Sequence, residues 1–147
     1  MRTASWVLLT IAGALMLLGS MASTFTAYSR AEDPLLPGGP SVDAVESVHP
    51  GLGDALRGRR ATAAAFAASY AVLFLSVVLV PYRRGDVWAW WALLASSAVL
   101  GLIIMLRVPI LGTRLGAGTG LIQLVVVLVA LLLDVRRLRG VAARPAV

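Results

Sequence analysis

The sequence predicts an all-α integral membrane protein: a bundle of four transmembrane helices, with one longer extracytoplasmic loop that carries a short amphipathic helix. Three observations predict it. The chain has 147 residues, of which 59% are hydrophobic and 14% charged, whereas soluble domains carry about 25% charged residues; its mean hydropathy is +0.88. Charge-free apolar runs recur at about the 20-residue length that crosses hydrocarbon as a helix. Between two of these runs lies Tyr82-Arg83-Arg84-Gly85-Asp86-Val87-Trp88-Ala89-Trp90-Trp91. Arg83 and Arg84 are the charges that favour a cytoplasmic face, Gly85-Asp86 is turn chemistry, and tryptophan rings prefer headgroup depth. Together they describe a tight hairpin at a bilayer surface.

The spans follow in order. The first, over about 4–28, lies in a charge-free stretch between Arg2 and Arg30. A secretory signal peptide ending near Ser20-Met21-Ala22 is the rival reading. Apolar character continues past Ala22 through Phe25 to Tyr28, so an uncleaved helix is expected. The loop 29–60 is the long polar stretch. Pro34, Pro37, Gly38, Gly39 and Pro40 break regular structure, and Ser41 can cap a short helix from Val42 to His49. On a 3.6-residue wheel Val42, Ala44, Val45 and Val48 share one half, opposite Asp43, Glu46 and Ser47. This segment is expected to lie over the outer mouth of the bundle, its acidic half facing Arg57, Arg59, Arg60, Arg107 and Arg114. Arg57-Gly58-Arg59-Arg60 then leads into the second span.

The second span, 61–81, is rich in alanine. Ala64/Ala68 and Ala67/Ala71 are small-xxx-small pairs that let a neighbouring backbone approach closely. Pro81 is expected to end this helix. The third span, 87–106, repeats the pattern at Ala92/Ser96 and Ser97/Gly101, and Arg107, Pro109, Gly112 and Arg114 read as the following connection. The fourth, 117–133, is mostly Leu and Val, with Gln123 its main polar interruption. Asp134, Arg136, Arg137 and Arg139 stop it at the surface, and 134–147 is a cytoplasmic tail.

Charge sets orientation. Four spans put both termini on the side of the 82–86 hairpin, with seven arginines against six opposite, and the seven crowd into the shorter flanks where the rule is strongest. Both termini are therefore expected in the cytoplasm. All 13 basic residues are arginine, which together with the Ala, Leu, Val and Gly content fits a GC-rich genome; the expected location is a bacterial cytoplasmic membrane. The net charge of +6 does not imply nucleic acid, because the arginines flank apolar spans instead of forming one basic face.

Function is bounded mainly by exclusion. The chain has no cysteine and a single histidine, which removes thiolate chemistry and bis-histidine haem ligation within one chain. The predicted spans hold no ionisable side chain, the usual basis of proton relays and voltage sensing. No catalytic residue and no cofactor is expected. Asp43-x-x-Glu46-x-x-His49 has the spacing of carboxylate-bridged di-iron motifs, but those sites need two such motifs; a solvated face pairing with arginines is the plainer reading, and these three are the weak metal candidates. Gln123, Tyr70, Trp88 and Trp91 are the candidate ligand-binding residues. Gln123 could line a polar cavity or hold a ligand headgroup, although a lone membrane Gln more often hydrogen-bonds across a helix interface. The tryptophan rings could stack on a quinone or sterol, although beside Arg83 and Arg84 they read first as interfacial anchors. Trp90 shares the reading of an interfacial anchor. The expected function is a contact protein, an accessory subunit or scaffold whose partners are the lipid bilayer and other membrane subunits or itself. The alternatives are a carrier of an apolar ligand (lipid, quinone or sterol) between its helices, and a lipid-modifying enzyme using Asp43, Glu46 and His49.

Overall fold

The computed structural model describes residues 2–29, 41–112 and 117–135, and among them it is helical without strands. Five α-helices follow one another: α1 Arg2–Ser29, α2 Val42–Val48, α3 Leu52–Val77, α4 Val87–Leu111 and α5 Ala117–Leu133. A five-residue π-helical turn, Val78–Tyr82, extends α3. Among the described residues three stretches are long and apolar enough to cross a membrane: Ala4–Ser29, Leu52–Tyr82 and Val87–Ile110. The expected loop 30–40, the connection around Arg114 and the tail from Arg136 lie outside the described residues.

The chain falls into two compact units, residues 2–14 with 73–135 and residues 15–72. In the first, Leu9 of α1, Phe74 and Val78 near the end of α3, Leu93 of α4 and Val127 of α5 are buried. The contact of α4 with α5 is close because glycine permits it. A Cβ on Gly101 would lie 2.6 Å from Leu124 Cδ2, and one on Gly120 2.8 Å from Ile104 Cδ1.

Three boundaries differ from the sequence expectation. Helix α3 starts at Leu52, not near 61, so Arg57, Arg59 and Arg60 sit on its opening turns; long arginine side chains can carry their charge outward from an apolar helix. Pro81 does not end the helix. Proline lacks the N–H that Val77 would receive, and the chain answers by widening one turn: Arg83 N–H donates to Val78 O, five residues back. Helical geometry continues through Arg84. It closes at Gly85, whose φ of +107° suits a residue without Cβ, where the amides of Gly85 and Asp86 both donate to Pro81 O at 3.1 and 3.0 Å. Helix α4 likewise runs on through Arg107 and Pro109 before Gly112 caps it, its N–H on Val108 O at 3.2 Å.

In the second unit the predicted short helix is present. Ser41 Oγ accepts from Ala44 N–H at 3.1 Å, the usual N-cap bond. Its apolar half is unevenly covered: Val42 is buried and Val48 exposed. The surface that receives Val42 is the first turn of α3, where Gly53 leaves the space; a Cβ there would meet Val42 Cγ1 at 3.2 Å.

Candidate functional site

Two places in the chain gather polar side chains. The first is a buried cluster in the unit of residues 2–14 and 73–135. A helix leaves its last four carbonyls without intrahelical donors, and for α5 these begin at Ala130. Ser5 Oγ, from α1, donates to Ala130 O at 2.7 Å and is hydrogen-bonded to the Tyr82 hydroxyl. Trp90 Nε1 donates to Leu131 O at 3.0 Å, an acceptor it shares with Asp134 N–H. Ser5, Tyr82 and Ala130 are fully buried. Side chains of α1, α4 and the π turn therefore finish the end of α5. The widened turn sets the direction of Tyr82, since one extra residue per turn rotates every later side chain about the axis. Nearby, the Arg83 guanidinium lies 5.1 Å from the centroid of the Trp6 ring, within cation–π range.

This cluster corrects two expectations. Trp90 is not an interfacial anchor: it is 6% exposed, and its indole N–H is used on α5. It meets the Trp91 ring edge to face at 4.9 Å between centroids. Asp134, expected as a surface stop, is buried.

The candidate ligand residues do not converge. Trp88 and Trp91 are exposed on the first turns of α4. Gln123 is half-buried further along the α4–α5 contact, beside Ser97, Gly101 and Gly120, where the free space is about 10 Å³, roughly room for one water. Tyr70 is half-buried on α3 in the other unit.

The candidate metal residues are each used separately. Asp43 is paired with Arg57, which also reaches Asp54 at 3.4 Å. Glu46 turns to the start of α3, its Oε1 accepting from Gly51 N–H and its Oε2 from Gly53 N–H, both at 2.7 Å. Those amides are the donors a helix N-terminus leaves open, and its dipole favours the negative charge. The Gly51 and Gly53 bonds hold the Glu46 carboxyl below its usual value against an opposing effect of desolvation, with lesser help from the Asp54 amide and Arg57. His49 closes α2 with its backbone N–H on Val45 O at 2.9 Å. No group of three potential metal ligands occurs among the described residues.

The second place is a groove that sequence reasoning missed. It lies within residues 15–72, is open on one side, encloses about 740 Å³, and is lined by Ala27 and Tyr28 of α1 and by Asp54, Arg57, Gly58, Ala61, Thr62, Ala65, Phe66 and Ser69 of α3. The signal was present as small and polar residues at helical spacing from Asp54 to Ser69. Starting α3 near 61 cut that face in two and left its polar end in a loop. Arg57 is mostly covered, its side chain 15% exposed, while Asp54 keeps 66% exposure. Tyr28 and Phe66 are 75% and 74% exposed.

These features define a helical protein with three helices able to span a membrane. Nothing among family models, curated proteins or solved structures matches the chain.

Proposed function

We propose that the chain is a four-span protein of a bacterial cytoplasmic membrane, with both termini inside, that works by contact as an accessory subunit or scaffold. Helix α5 serves as the fourth span in this reading. Its 17 residues reach about 25 Å at 1.5 Å each, short of a hydrocarbon core of about 30 Å but within the range accepted for spans. The loop from 30 to 51, with α2, then lies outside.

One observation carries the contact reading. Ala63 and Ala67 on α3 are exposed, an i,i+4 pair of small residues of the kind found where transmembrane helices meet. On the other long helices the exposed alanines Ala4, Ala22, Ala95 and Ala98 have no exposed small residue four positions away, and many exposed positions are bulky, as at Leu102, Ile103, Ile110 and Ile122, which suits lipid. A partner helix fits the alanine pair better than acyl chains do. The chain has no native cysteine, so single cysteines at Ala63 or Ala67 report proximity directly. They should cross-link into a defined complex, and Ala67→Trp should reduce the size of the particle extracted in mild detergent. Leu102→Trp should not. Equal behaviour of the two variants, with a lone chain in both, refutes the reading. Reporter fusions at Gly85 and Gly39 test orientation: cytoplasmic at the first, external at the second.

A second reading, an amphiphile held between helices, is favoured by the groove. Its volume lies inside the roughly 300–1,000 Å³ of small-molecule sites. On a 3.6-residue wheel its lining residues Ala65 and Ser69 sit opposite Ala63 and Ala67, so the two readings use different sides of α3.

A further inference from the structure

The groove in residues 15–72 is charged at one end and uncharged along the rest, where the Thr62 and Ser69 hydroxyls are turned back onto Gly58 O and Ala65 O of their own helix. Asp54, Arg57 and Tyr28 gather at the polar end, followed along α3 by Ala61, Ala65 and Phe66. From Asp54 to Ser69 the helix rises about 22 Å, comparable to a lipid headgroup with much of one acyl chain. The charges at the mouth are paired: the Arg57 guanidinium stands 3.4 Å from the Asp54 carboxylate, with Asp43 on its other side. A single cation or anion at that mouth meets one group that attracts it and another that repels it. A zwitterion can satisfy both. Asp54 is the exposed member of the pair, and the exposed rings of Tyr28 and Phe66 border the same groove; aromatic faces and a carboxylate together attract an ammonium.

We propose that the groove binds a phospholipid with a phosphoethanolamine headgroup. The ammonium lies at Asp54 and Tyr28, the phosphate turns toward Arg57, and one acyl chain lies along Ala61, Ala65 and Phe66. An anionic phosphoglycerol lipid fits less well, because the exposed Asp54 carboxylate in the groove repels it and Arg57 is already paired with Asp43. The assignment rests on the amphiphile reading of the groove and names its ligand.

The test is native mass spectrometry of the full chain in mild detergent, offered equal amounts of phosphatidylethanolamine and phosphatidylglycerol with the same acyl chains. The expected result is retention of phosphatidylethanolamine about fivefold over phosphatidylglycerol, the scale of one partly exposed ion pair. Asp54→Asn should abolish that preference, and Tyr28→Leu, which leaves the ion pair's charges in place, should reduce it. Ala65→Trp, at an exposed groove position, should remove bound lipid, whereas Ile122→Trp, exposed on α5, should not. Equal retention of the two lipids, or a preference for phosphatidylglycerol, together with loss in Ala65→Trp, overturns the headgroup assignment and leaves the groove as a lipid site. Lipid retention unchanged in Ala65→Trp overturns both.

Discussion

Removing the Ser5 hydroxyl should loosen the protein at a point where α1, the π turn and α5 meet. Ser5→Ala deletes the donor to Ala130 O and the partner of the Tyr82 hydroxyl. Ala130 is fully buried, and Asp134 N–H, the donor four residues on, goes to Leu131 O instead. A buried carbonyl that loses its donor costs about 1–3 kcal/mol in soluble proteins. Within membranes an interhelical hydrogen bond averages about 0.6 kcal/mol and reaches about 1.7. Ser5 makes two such contacts, so a loss of about 1–2 kcal/mol is expected, or roughly 5–30-fold in the unfolding equilibrium. Tyr82→Phe should cost less, because Ser5 keeps its bond to Ala130. The double variant should fall short of the sum by about 0.5 kcal/mol or more, since both single changes remove one shared contact. Denaturation in mixed micelles by increasing dodecyl sulfate, followed by circular dichroism, reads all three. Ser5→Ala within about 0.3 kcal/mol of wild type, with an additive double variant, would show that the cluster does not hold these helices.

Neighbouring tryptophans should behave differently: Trp90→Leu should destabilise by about 2–4 kcal/mol through lost packing and the bond to Leu131, and Trp91→Leu by about 0.5 or less, both read in the same titration. Glu46→Gln should speed amide exchange at Gly51 and Gly53. In wild type the lowered carboxyl implies that this capping is intact above the ordinary carboxylate value of 4.5 and is lost as pH falls through the lower folded value; exchange there, corrected for intrinsic rate, should rise only in acid, and a flat profile would remove the cap. Gly101→Ile should force α5 away from α4 at a cost of about 1–3 kcal/mol, whereas an unchanged midpoint would mean that the two helices do not approach closely there.

The helical class, the short capped α2 and the extent of α5 were legible because each rests on local chemistry: apolar length, a Ser N-cap, a charge at the end. The ends of α3 and α4 were misjudged by treating arginine and proline as stops. Backbone hydrogen bonding decides a helix end, and it continues past Arg57 and Arg107, whose side chains leave the ladder intact, and past Pro109, which removes only one rung of it. Trp88, Trp90 and Trp91 look alike in sequence; only the carbonyls of α5, forty residues on, distinguish the one that is buried. Glu46 was read through its spacing to Asp43 and His49 on the same helix, while its partners lie beyond the turn. The groove escaped notice for the same reason as the start of α3.

The bond between Ser5 and Ala130 spans 125 residues of chain. A ribosome adding about 5–20 residues per second needs roughly 6–25 s to make that interval. During that time the first helix sits in the bilayer carrying a hydroxyl whose final acceptor has not yet been made. Tyr82 reaches it earlier, so the Ser5–Tyr82 contact can form first and hold α1 beside the end of α3 until the last helix enters. Truncating the nascent chain between Trp91 and Ala117 should therefore yield a protease-resistant intermediate, and Tyr82→Phe should shorten its life.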